Sequence, residues 1–504
     1  MSPKVAAFLR MKKEKDWFRI KKYPHIGVPL KVVDRPWVQR YVTNVNAIEA
    51  HAFYPLIHRT SVVRKFRRQI NKDTGERSKE RHADSKPREL YYANHLDACI
   101  YSYYSKILNT AYDAKLLHLC LHDTITAYRR IKLNPKDPNS SNKSSADFAA
   151  EVFDYIINHK EDQLVAITFD IQGFFDNLDH KLLKKAWYET LNKQTLPCPE
   201  YNLFKSLTNF SYINENQIFN AFKDNIVVES KTGTRKLKPI KKIHHLKNQR
   251  AIAFCELADF EKLRSKNLIV GNNSIKHPKR TKGIPQGTPI SSTLANVYMI
   301  DFDYRINRFV NSVKGLYRRY SDDMIVICQA KHINDVIDMF DREIAERKLG
   351  IQHSKTQIFS FNKINGRFEC AQQYKTASNP NKNLEYLGFE FDGFHTLIKS
   401  SSLASYYRKM KRSVQQSRYY SKTSKTLKGQ VFQTRLYKKF SYLGAGRRRI
   451  YIKDKANPGN WIRTDTYDWG NYISYAQLAI NKLPNNKIEG QIKRHWFILN
   501  KLIK

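Results

Sequence analysis

Three aspartates stand next to short apolar segments of the chain, where carboxylates could do chemistry. Asp170 follows Leu164-Val-Ala-Ile-Thr-Phe169, and the pair Asp322 and Asp323 precedes Met324-Ile-Val-Ile-Cys328. A single aspartate in such a place is most often a turn residue, because its side chain hydrogen-bonds the nearby backbone. Two adjacent carboxylates, however, raise each other's pKa unless they share a cation. The pair therefore favours a divalent metal site.

The charge of the whole chain indicates what such a metal site would act on. Among 504 residues, 89 Lys and Arg stand against 46 Asp and Glu, so the formal net charge is +43. A bias of this size favours a polyanion such as nucleic acid as the partner. Mg²⁺ binds a few carboxylates together with substrate phosphates, and two such ions about 4 Å apart can activate a hydroxyl and stabilise leaving pyrophosphate. Together these features predict nucleotidyl transfer with two Mg²⁺ ions, or with Mn²⁺ in their place.

Hydrophobic periodicity predicts the elements that would position the three aspartates. The run 164–169 is apolar and β-branched and is typical of a buried strand. Asp179 is placed to cap a helix whose apolar residues recur from Leu182 to Leu191. Further along, the pattern predicts a helix over 291–310, a hairpin of Leu316–Tyr320 and Met324–Cys328, and a helix from Ile333 that ends at Gly350. These elements predict an α+β fold, in which an antiparallel sheet carries helices on one face.

The length of the chain exceeds what one hydrophobic core usually organises, so we expect two or three parts. A polar, lysine-rich segment at about 205–280 is interpreted as an insertion or a small accessory subdomain. The basic run from Arg59 to Arg88, with its Asp73-Thr-Gly75 turn, is interpreted as a mobile loop. From Phe394 to Lys504 there are 24 Lys and Arg against four acids, so the last part is strongly basic.

Cysteine spacing and hydropathy argue against several classes of protein. The six cysteines lie far apart without a C-x-x-C pair, which disfavours a disulfide framework and zinc knuckles. The segment 1–22 alternates basic and apolar residues and lacks the continuous apolar region of a secretory signal. No stretch approaches the roughly 20 apolar residues of a membrane-spanning helix. We therefore expect a protein of the reducing cytoplasm that has no membrane partner.

Five motifs follow one another in the order found in reverse transcriptases, and the chain strongly resembles that family. The first three are Asp170-Ile-Gln-Gly-Phe-Phe175-Asp, Gly283-Ile-Pro-Gln-Gly-Thr-Pro-Ile-Ser291 and Tyr320-Ser-Asp-Asp323. The next two are Leu349-Gly-Ile-Gln-His-Ser-Lys355 and Tyr386-Leu-Gly-Phe-Glu-Phe-Asp-Gly393. One such motif alone would be weak, whereas five in order are specific. The resemblance implies a right-hand polymerase with fingers in 1–160, a palm in 161–395 and a basic helical thumb in 396–504.

The resemblance also assigns roles to the aspartates. Asp170 and Asp322 resemble the metal-binding aspartates of these enzymes, and Asp323 resembles a supporting acid. The backbone carbonyl of Ile171 is a further candidate ligand. The implied activity is RNA-directed DNA synthesis by two-metal nucleotidyl transfer.

Candidate nucleotide-binding residues follow from the same motifs. Phe175 resembles the steric gate against a ribose 2′ hydroxyl, which implies dNTP substrates, whereas Phe174 is expected in the core. Gln286 and Gly287 resemble the turn that lines the nascent base pair, where glycine lets the backbone approach closely. Lys355 resembles the lysine that protonates or neutralises leaving pyrophosphate, with an ordinary surface lysine as the alternative.

The fingers and thumb supply further cationic candidates. Arg129 and Lys143 lie in segments that resemble the parts of the fingers that hold the triphosphate, and guanidinium and ammonium groups suit that task. In the thumb, basic and aromatic residues alternate, which suits a groove along a nucleic-acid backbone. The nucleic-acid-binding candidates there are Arg435, Lys438, Lys439, Arg447, Arg448 and Arg449.

Two further motifs, Tyr128-Arg129 in the fingers and Ile473-Ser-Tyr-Ala476 in the thumb, narrow the resemblance. They are similar to those of stand-alone bacterial reverse transcriptases of the defence-associated, abortive-infection-like lineage, which is related to retron and group II intron enzymes. We find no ribonuclease H-like acidic set after the thumb, and the thumb lacks the Val-Thr-Gly of retron enzymes. The resemblance implies a structured non-coding RNA as template, a DNA product and a homo-oligomer. Four alternatives stay open: a retron-type enzyme, a template-independent or protein-primed DNA polymerase, an RNA-dependent RNA polymerase, and a catalytically silent RNA-binding protein.

Overall fold

The structure is a computed structural model of the chain. It describes residues 17–504 except 64, 65, 72, 84, 86, 138, 139, 231, 232, 272–279, 424–428, 447, 448, 454–456, 458, 468 and 469. Among these residues, no helix combines the length and the apolar character that crossing a membrane requires.

The N-terminal region combines a helical layer with an extended hairpin. Its strands are β1 (His25–Ile26), β2 (Leu56–Val62), β3 (Phe66–Ile70), β4 (Arg77–Ala83) and β5 (Pro87–Tyr92). Its helices are α1 (Arg35–Thr43), α2 (Val45–Glu49), α3 (His95–His118) and α4 (Ser145–Ile157). Strands β2 and β5 pair in antiparallel fashion, and β3 pairs with β4 farther out along the same hairpin. The basic run predicted as a mobile loop is therefore largely β-structure.

The central region holds a six-stranded sheet, a smaller sheet and the helices that pack on them. Its first seven strands are β6 (Gln163–Asp170), β7 (Tyr212–Asn214), β8 (Ile226–Glu229), β9 (Arg235–Lys238), β10 (Ala251–Cys255), β11 (Leu316–Tyr320) and β12 (Asp323–Cys328). The remaining strands are β13 (Gln357–Ile364), β14 (Arg367–Gln373), β15 (Ser378–Asn379), β16 (Leu384–Tyr386), β17 (Phe389–Phe391) and β18 (Thr396–Ile398). The helices are α5 (Phe174–Asn177), α6 (His180–Thr190), α7 (Cys198–Thr208), α8 (Glu215–Phe222), α9 (Phe260–Ser265), α10 (Ser291–Tyr298), α11 (Ile300–Ser312) and α12 (Ile333–Glu346).

The six-stranded sheet places the aspartates side by side. Its strand order is β11-β12-β6-β13-β14-β15, and β12 and β13 both run antiparallel to β6. In this register Asp323 lies opposite Asp170, and Tyr320 lies opposite Asp323 across a two-residue turn. The predicted strand and the predicted hairpin are both confirmed.

The sheet is covered on both faces, and not on one face as predicted. Strand β6 is apolar at successive positions, so Val165 and Ile167 point into a core with α10, α11 and α12, while Leu164 and Ala166 point into a second core with α4. In the second core, Phe153 of α4 stacks on Phe391 of the small sheet β16-β17-β18, with ring centroids 4.6 Å apart. An uninterrupted apolar strand is typical of a sheet that is buried on both sides.

Two helices differ from the prediction. The helix expected over 291–310 is divided at Met299, whose ψ of 1° interrupts the helical ladder between α10 and α11. Helix α12 ends at Glu346, four residues before Gly350, and Lys348 adopts the left-handed conformation there with φ 52°. The predicted cap of α6 is confirmed, because Asp179 Oδ1 accepts the backbone N–H groups of Lys181 and Leu182 at 3.0 Å each.

The segment predicted as an insertion or accessory subdomain forms a subdomain with its own core. Strands β8, β9 and β10 join the N-terminal β1 in a four-stranded sheet of order β1-β10-β8-β9. Its core includes Ile218, Phe222, Ile226 and Phe254. Because β1 pairs in parallel with β10, the N-terminal segment and this subdomain form one unit.

The C-terminal region is mainly helical and also contains a hairpin. Its helices are α13 (Ser400–Thr423), α14 (Gln433–Phe440), α15 (Tyr472–Ile480), α16 (Ile488–Ile492) and α17 (His495–Ile503), and its hairpin consists of β19 (Arg449–Lys453) and β20 (Trp461–Tyr467). Strand β18 belongs to the small sheet of the central region, so that sheet extends past position 395 to Ile398.

Candidate active site

The candidate active site lies where β6 and β12 meet. Asp170 is the last residue of β6 and Asp323 is the first residue of β12, and they are direct partners across the two strands. Directly opposed residues of antiparallel strands have Cα atoms about 4.5–5.5 Å apart. Asp322 precedes Asp323 in the turn, so three carboxylates gather at one end of the sheet.

The carboxylates repel one another at Asp323. The surrounding protein removes hydration from this carboxyl group, and the charges of Asp322 and Asp170 add to the effect, so the pKa of Asp323 is raised to about 6. The positive charges of Lys355 and Lys399 oppose this shift. A site with this excess of negative charge would be stabilised by a bound cation.

Lys355 already supplies one positive charge. Its Nζ donates to Oδ1 and Oδ2 of Asp170 at 2.8 and 3.0 Å. The loop that carries Lys355 is tied to the strand end, because the N–H of Gln352 donates to the carbonyl of Asp170 at 2.8 Å. The ammonium side chain is half exposed, at 49%, and it therefore lies where a cation bound to Asp170 would compete with it.

Phe174 and Phe175 differ in burial. Phe174 is 4% exposed and belongs to the core, as predicted, whereas Phe175 is partly buried and packs against the same core. The N–H of Ile284 donates to the carbonyl of Phe175 at 2.9 Å, so the gate candidate is fixed to the segment of the second motif. Gly283 makes this close contact possible, because a Cβ atom there would lie 2.7 Å from the carbonyl oxygen of Asp176.

The Gln286–Gly287 turn packs against the base of the extended hairpin β2–β5, here called the finger hairpin, in which β2 and β5 form the base and β3 and β4 lead to the tip. The N–H of Tyr91 in β5 donates to the carbonyl of Gln286 at 2.8 Å. At Gly287, φ is +122° and a Cβ atom would lie 2.5 Å from the carbonyl oxygen of Tyr91. Only glycine fits this approach, so the backbone of the turn packs directly on the backbone of β5.

The family of the chain follows from its sequence match over this region. A sequence model described as "Reverse transcriptase (RNA-dependent DNA polymerase)" matches residues 97–391, which is more than half of the 504 residues. The chain belongs to the reverse transcriptase family. The matched part contains the three carboxylates, the gate candidate and the Gln286–Gly287 turn.

Solved structures of telomerase are similar to this reverse transcriptase at low identity. Apo telomerase from Candida tropicalis is 10% identical with a TM-score of 0.36, and the match covers 81% of this chain and 60% of that one. Telomerase from Candida albicans with a fragment of telomeric RNA is 14% identical with a TM-score of 0.34, and coverage is 82% and 59%. A truncated C. tropicalis telomerase is 13% identical with a TM-score of 0.31, and coverage is 71% and 57%. The chain thus spans less than two thirds of each telomerase chain.

Arg129 of this reverse transcriptase is not placed as a nucleotide ligand in the structure. Its side chain is 1% exposed, and its Nε donates to Asp113 Oδ1 at 2.6 Å. One Nη donates to the carbonyls of His122 and Ile125, each at 2.6 Å. The buried guanidinium therefore braces the loop after α3, which corrects the expectation that it faces a triphosphate.

Lys143, the second candidate of the fingers, is engaged within the protein. Its Nζ donates to Glu151 Oε1 of α4 at 2.6 Å, and its side chain is 20% exposed. Lys143 lies two residues before the start of α4, and its ammonium group is paired with a glutamate of that helix.

The basic thumb residues lie outward on α14. Leu436 and Phe440 face the core, whereas Arg435, Lys438 and Lys439 are exposed. Arg447 and Arg448 lie outside the described residues, and Arg449 begins β19. The described part of the helix therefore presents a basic face to solvent.

Sequence reasoning did not single out one buried ion pair next to the candidate site. Arg319 and Asp303 are both fully buried behind the Ser321–Asp322 turn and form an ion pair at 2.7 Å. The signal for Arg319 was the alternation of β11, which places Tyr317 inward and therefore also places Arg319 inward. The aspartate on α11 gave no comparable signal.

Proposed function

We propose that the chain is an RNA-directed DNA polymerase that transfers deoxynucleotides with the help of two divalent cations. The observation that carries the proposal is the direct pairing of Asp170 with Asp323, with Asp322 beside them, inside the region matched by the reverse transcriptase family. Clustered carboxylates at a strand end suit phosphoryl chemistry, in which catalysis is mainly positioning and charge stabilisation.

The carboxylates fit Mg²⁺ if the substrate completes its coordination. Among the described residues, no group of three or more His, Cys, Asp or Glu side chains is arranged to hold a metal ion by itself. Mg²⁺ usually binds through one or two carboxylates and substrate phosphates, so a small carboxylate set is sufficient. The raised pKa of Asp323 is consistent with this assignment, because burial is its largest cause and the charges of Asp322 and Asp170, which a cation would offset, add to it. Asp170, Asp322 and Asp323, with the carbonyl of Ile171, would hold the ions, which would activate the primer hydroxyl and stabilise the leaving pyrophosphate.

The other residues of the site would orient and select the substrate. Phe175, which is partly buried, would exclude a 2′ hydroxyl, and the Gln286–Gly287 turn would support the nascent base pair. Lys355 is paired with Asp170 in the structure. When cations occupy Asp170, the ammonium group of Lys355 would be released and could neutralise the pyrophosphate that leaves.

A cationic cavity next to this turn supports a nucleic-acid template. The cavity has a volume of about 1610 Å³ and lies between the N-terminal segment, the base of the finger hairpin and the accessory subdomain. Seven Lys and Arg residues line it against two Glu, and Gly287 lies at its wall. Such an excess of positive charge favours a polyanion.

The dedicated template and the biological role rest on the resemblance of the motifs. We infer a structured non-coding RNA as template, dNTPs as substrates and an anti-phage role, because the finger and thumb motifs resemble those of stand-alone bacterial enzymes. The net charge of +43 supports an RNA that stays bound to the protein.

A primer-extension assay with a single carboxylate variant tests the activity. The chain should extend a primer on an RNA template with dNTPs and Mg²⁺, and Asp322→Asn should lower the rate by at least about 10²-fold while the affinity for RNA changes little. Asp338→Asn is the matched control, because Asp338 is an exposed acid on α12 away from the strand ends. Equal synthesis by Asp322→Asn and the wild type would contradict the assignment, and so would extension with rNTPs alone.

A further inference from the structure

A buried polar cluster lies directly behind the turn that carries Asp322. Its centre is Arg319, which is fully buried on β11, and its acidic partner is Asp303, which is fully buried on α11. The Nε of Arg319 donates to Oδ1 and Oδ2 of Asp303 at 2.8 and 3.0 Å, and Nη2 donates to Oδ2 at 2.7 Å. Tyr317 also donates to Asp303 Oδ1, at 2.8 Å. One edge of the guanidinium is therefore fixed by a two-pronged ion pair.

The other edge of the guanidinium reaches the turn itself. Nη1 of Arg319 donates to the backbone carbonyl of Ser321 at 3.1 Å and to Asn296 Oδ1 of α10 at 3.1 Å. The carbonyl of Ser321 belongs to the peptide bond that leads into Asp322. A hydrogen bond at this atom fixes the plane of that peptide bond and thereby the direction from which the Asp322 side chain leaves the backbone.

The turn needs such support because its backbone is unusual. Ser321 has φ 63°, in the left-handed region that residues with a side chain rarely adopt. Its hydroxyl is within 3.2 Å of the Tyr128 hydroxyl. The Arg319 carbonyl accepts the N–H of Thr126 at 3.0 Å, and the Arg319 N–H donates to the carbonyl of Thr124 at 2.9 Å. Three separate elements thus converge on one two-residue turn: helix α10, helix α11 and the loop that follows α3.

Burying an ion pair behind an active site is not an efficient way to gain stability, because desolvation offsets most of the attraction. Burial raises the pKa of Asp303, and the guanidinium of Arg319 opposes that shift. A pair of apolar residues of the same volume would pack as well without this cost. The fork shape of the guanidinium supplies what apolar residues lack, which is a directed hydrogen bond to Ser321.

We propose that Arg319 is a positioning residue, which uses Asp303 as its anchor to hold the Ser321–Asp322 peptide bond and thereby aims the carboxylates of Asp322 and Asp323 at the cations. This proposal rests on the proposed function. The shape of the guanidinium is required and not only its charge, because lysine cannot bind Asp303 and the Ser321 carbonyl with the same fixed geometry.

The test compares Arg319→Lys with Tyr317→Phe. Both changes remove a buried hydrogen bond to Asp303, but only Arg319→Lys also removes the hydrogen bond to Ser321. Both variants should unfold at a lower temperature than the wild type. Turnover of dNTPs should fall on the order of 10- to 100-fold in Arg319→Lys, since displacing reacting groups by about 1 Å has effects of that size. In Tyr317→Phe turnover should stay within about twofold.

Two further measurements separate positioning from loss of structure. In Arg319→Lys the KM for dNTP and the Kd for RNA should stay near the wild-type values, whereas the affinity for Mn²⁺ alone, measured by electron paramagnetic resonance, should fall several-fold. If the loss of turnover in each variant were proportional to the decrease in its unfolding temperature, the role of Arg319 would be structural and the proposal would be wrong. A raised KM or weaker RNA binding with unchanged turnover and unchanged Mn²⁺ affinity would also overturn it.

Asn296→Ala gives a second route if Arg319→Lys does not fold. This variant keeps the ion pair with Asp303 and the bond to Ser321 but removes the second acceptor of Arg319 Nη1, so the guanidinium is held less firmly against the turn. We expect an intermediate loss of turnover together with weaker Mn²⁺ binding, and wild-type values of both would contradict the proposal. A wild-type chain that makes no DNA would overturn the proposed function, while the Mn²⁺ affinities of the variants would still test the positioning of the carboxylates. A wild-type chain that neither makes DNA nor binds Mn²⁺ would overturn both.

Discussion

At the residue scale, negative charge at the candidate site is only partly neutralised by the protein. Lys355 donates to both oxygens of Asp170. Within the described part of the chain, no side chain pairs in this way with Asp323, whose pKa is raised to about 6, although the charges of Lys355 and Lys399 act on it at longer range. The protein therefore holds the carboxylates in a state that suits cation binding, at the cost of local repulsion.

Phe175 gives a direct test of substrate choice. Phe175→Ala should increase the efficiency of rNTP incorporation relative to dNTP on the order of tenfold, because the smaller side chain leaves room for a 2′ hydroxyl. The measurement is kcat/KM for matched pairs such as UTP and dTTP on the same RNA template.

Phe174→Leu is the matched control for this experiment. Phe174 is buried in the core at 4% exposure, so its substitution should lower stability without changing the ratio of rNTP to dNTP use. If Phe175→Ala showed the same selectivity as the wild type, Phe175 would not be the gate.

Sequence reasoning succeeded for single residues where a local pattern fixed their environment. The spacing within Asp170–Phe175 correctly placed Phe174 inside and left Phe175 partly exposed. It failed for Arg129, because a charged residue in a basic segment carries no local sign that its partners, Asp113 and the carbonyl of His122, will enclose it. The same limit applies to Asp303, whose burial depends on an arginine from another element.

At the element scale, the finger hairpin connects two parts of the palm. Its base contacts the Gln286–Gly287 turn through Tyr91. Its tip contacts the loop between β14 and β15, where the N–H and the hydroxyl of Thr376 donate to the carbonyl of Asp73 at 3.1 and 2.9 Å. The β6-β13-β14 register places that loop at the same end of the sheet as Asp170.

Gly75 at the tip should control this attachment. A Cβ atom at Gly75 would lie 2.4 Å from the ring of Tyr374, whose hydroxyl is held by Gln372 at 2.9 Å. The φ of +75° adds backbone strain for any other residue. Gly75→Ala should therefore release the tip, and trypsin should cleave after Arg77 and Lys79 several-fold faster than in the wild type.

Gly233→Ala controls for the backbone strain alone. Gly233 has φ +88°, but a Cβ atom there would meet no atom within 4 Å. This variant should leave tryptic cleavage of the finger hairpin at the wild-type rate. Equal cleavage of the hairpin in both variants would show that the packing of the tip on Tyr374 does not hold it.

The outward face of α14 should contribute to nucleic-acid binding. The double variant Lys438→Glu and Lys439→Glu should bind RNA more weakly, and the dependence of log Kd on log salt should become less steep, by about one for each phosphate that the variant no longer neutralises. Filter binding at several salt concentrations measures both quantities. The control variant is Lys241→Glu with Lys242→Glu, which makes the same charge change at two exposed lysines of the accessory subdomain. If the control weakened RNA binding equally, the effect would come from the net charge of the protein and not from a specific contact of α14.

Local elements were predictable and distant pairings were not. The strand at 164–169, the Asp179 cap and the β11–β12 hairpin each depend on residues that are close in sequence, and all three are confirmed. The parallel pairing of His25 with Ala253 joins segments that are far apart in sequence and share no pattern. The outer hairpin strands β3 and β4 are fully or mostly exposed, so they lack the apolar alternation by which strands are recognised.

At the scale of the whole molecule, the N-terminal segment is bound to the rest by buried histidines. His25 is fully buried in β1, and burial lowers its pKa to about 3. His95, at the start of α3, stacks on Tyr23 with ring centroids 5.3 Å apart, and burial lowers its pKa to about 4. Neither ring nitrogen of His95 has a hydrogen-bond partner within the described part of the protein.

These histidines predict how stability depends on pH. Both histidines have folded-state pKa values below the ordinary value of 6.5. In the unfolded chain they therefore become protonated below about pH 6.5. In the folded chain they become protonated only near pH 4 and below. The free energy of unfolding should therefore fall as the pH is lowered from 6.5 towards 4. His95→Phe should make this fall less steep, by up to about 1.4 kcal/mol per pH unit.

Urea unfolding followed by tryptophan fluorescence at several pH values measures this slope. Above pH 7 both histidines are neutral in both states, so the wild type and His95→Phe should differ there by a constant amount. An equally steep fall below pH 6.5 in both proteins would show that His95 does not govern the acid sensitivity.

The finger hairpin touches the palm at its base and at its tip, and this double attachment has a mechanical consequence. A hairpin held at one end can swing about that end, whereas a hairpin held at both ends moves only after one set of contacts breaks. The base is held by the hydrogen bond from Tyr91 to Gln286, and the tip by the two hydrogen bonds from Thr376 to Asp73. Rupture of the tip contacts would therefore leave the base as the pivot.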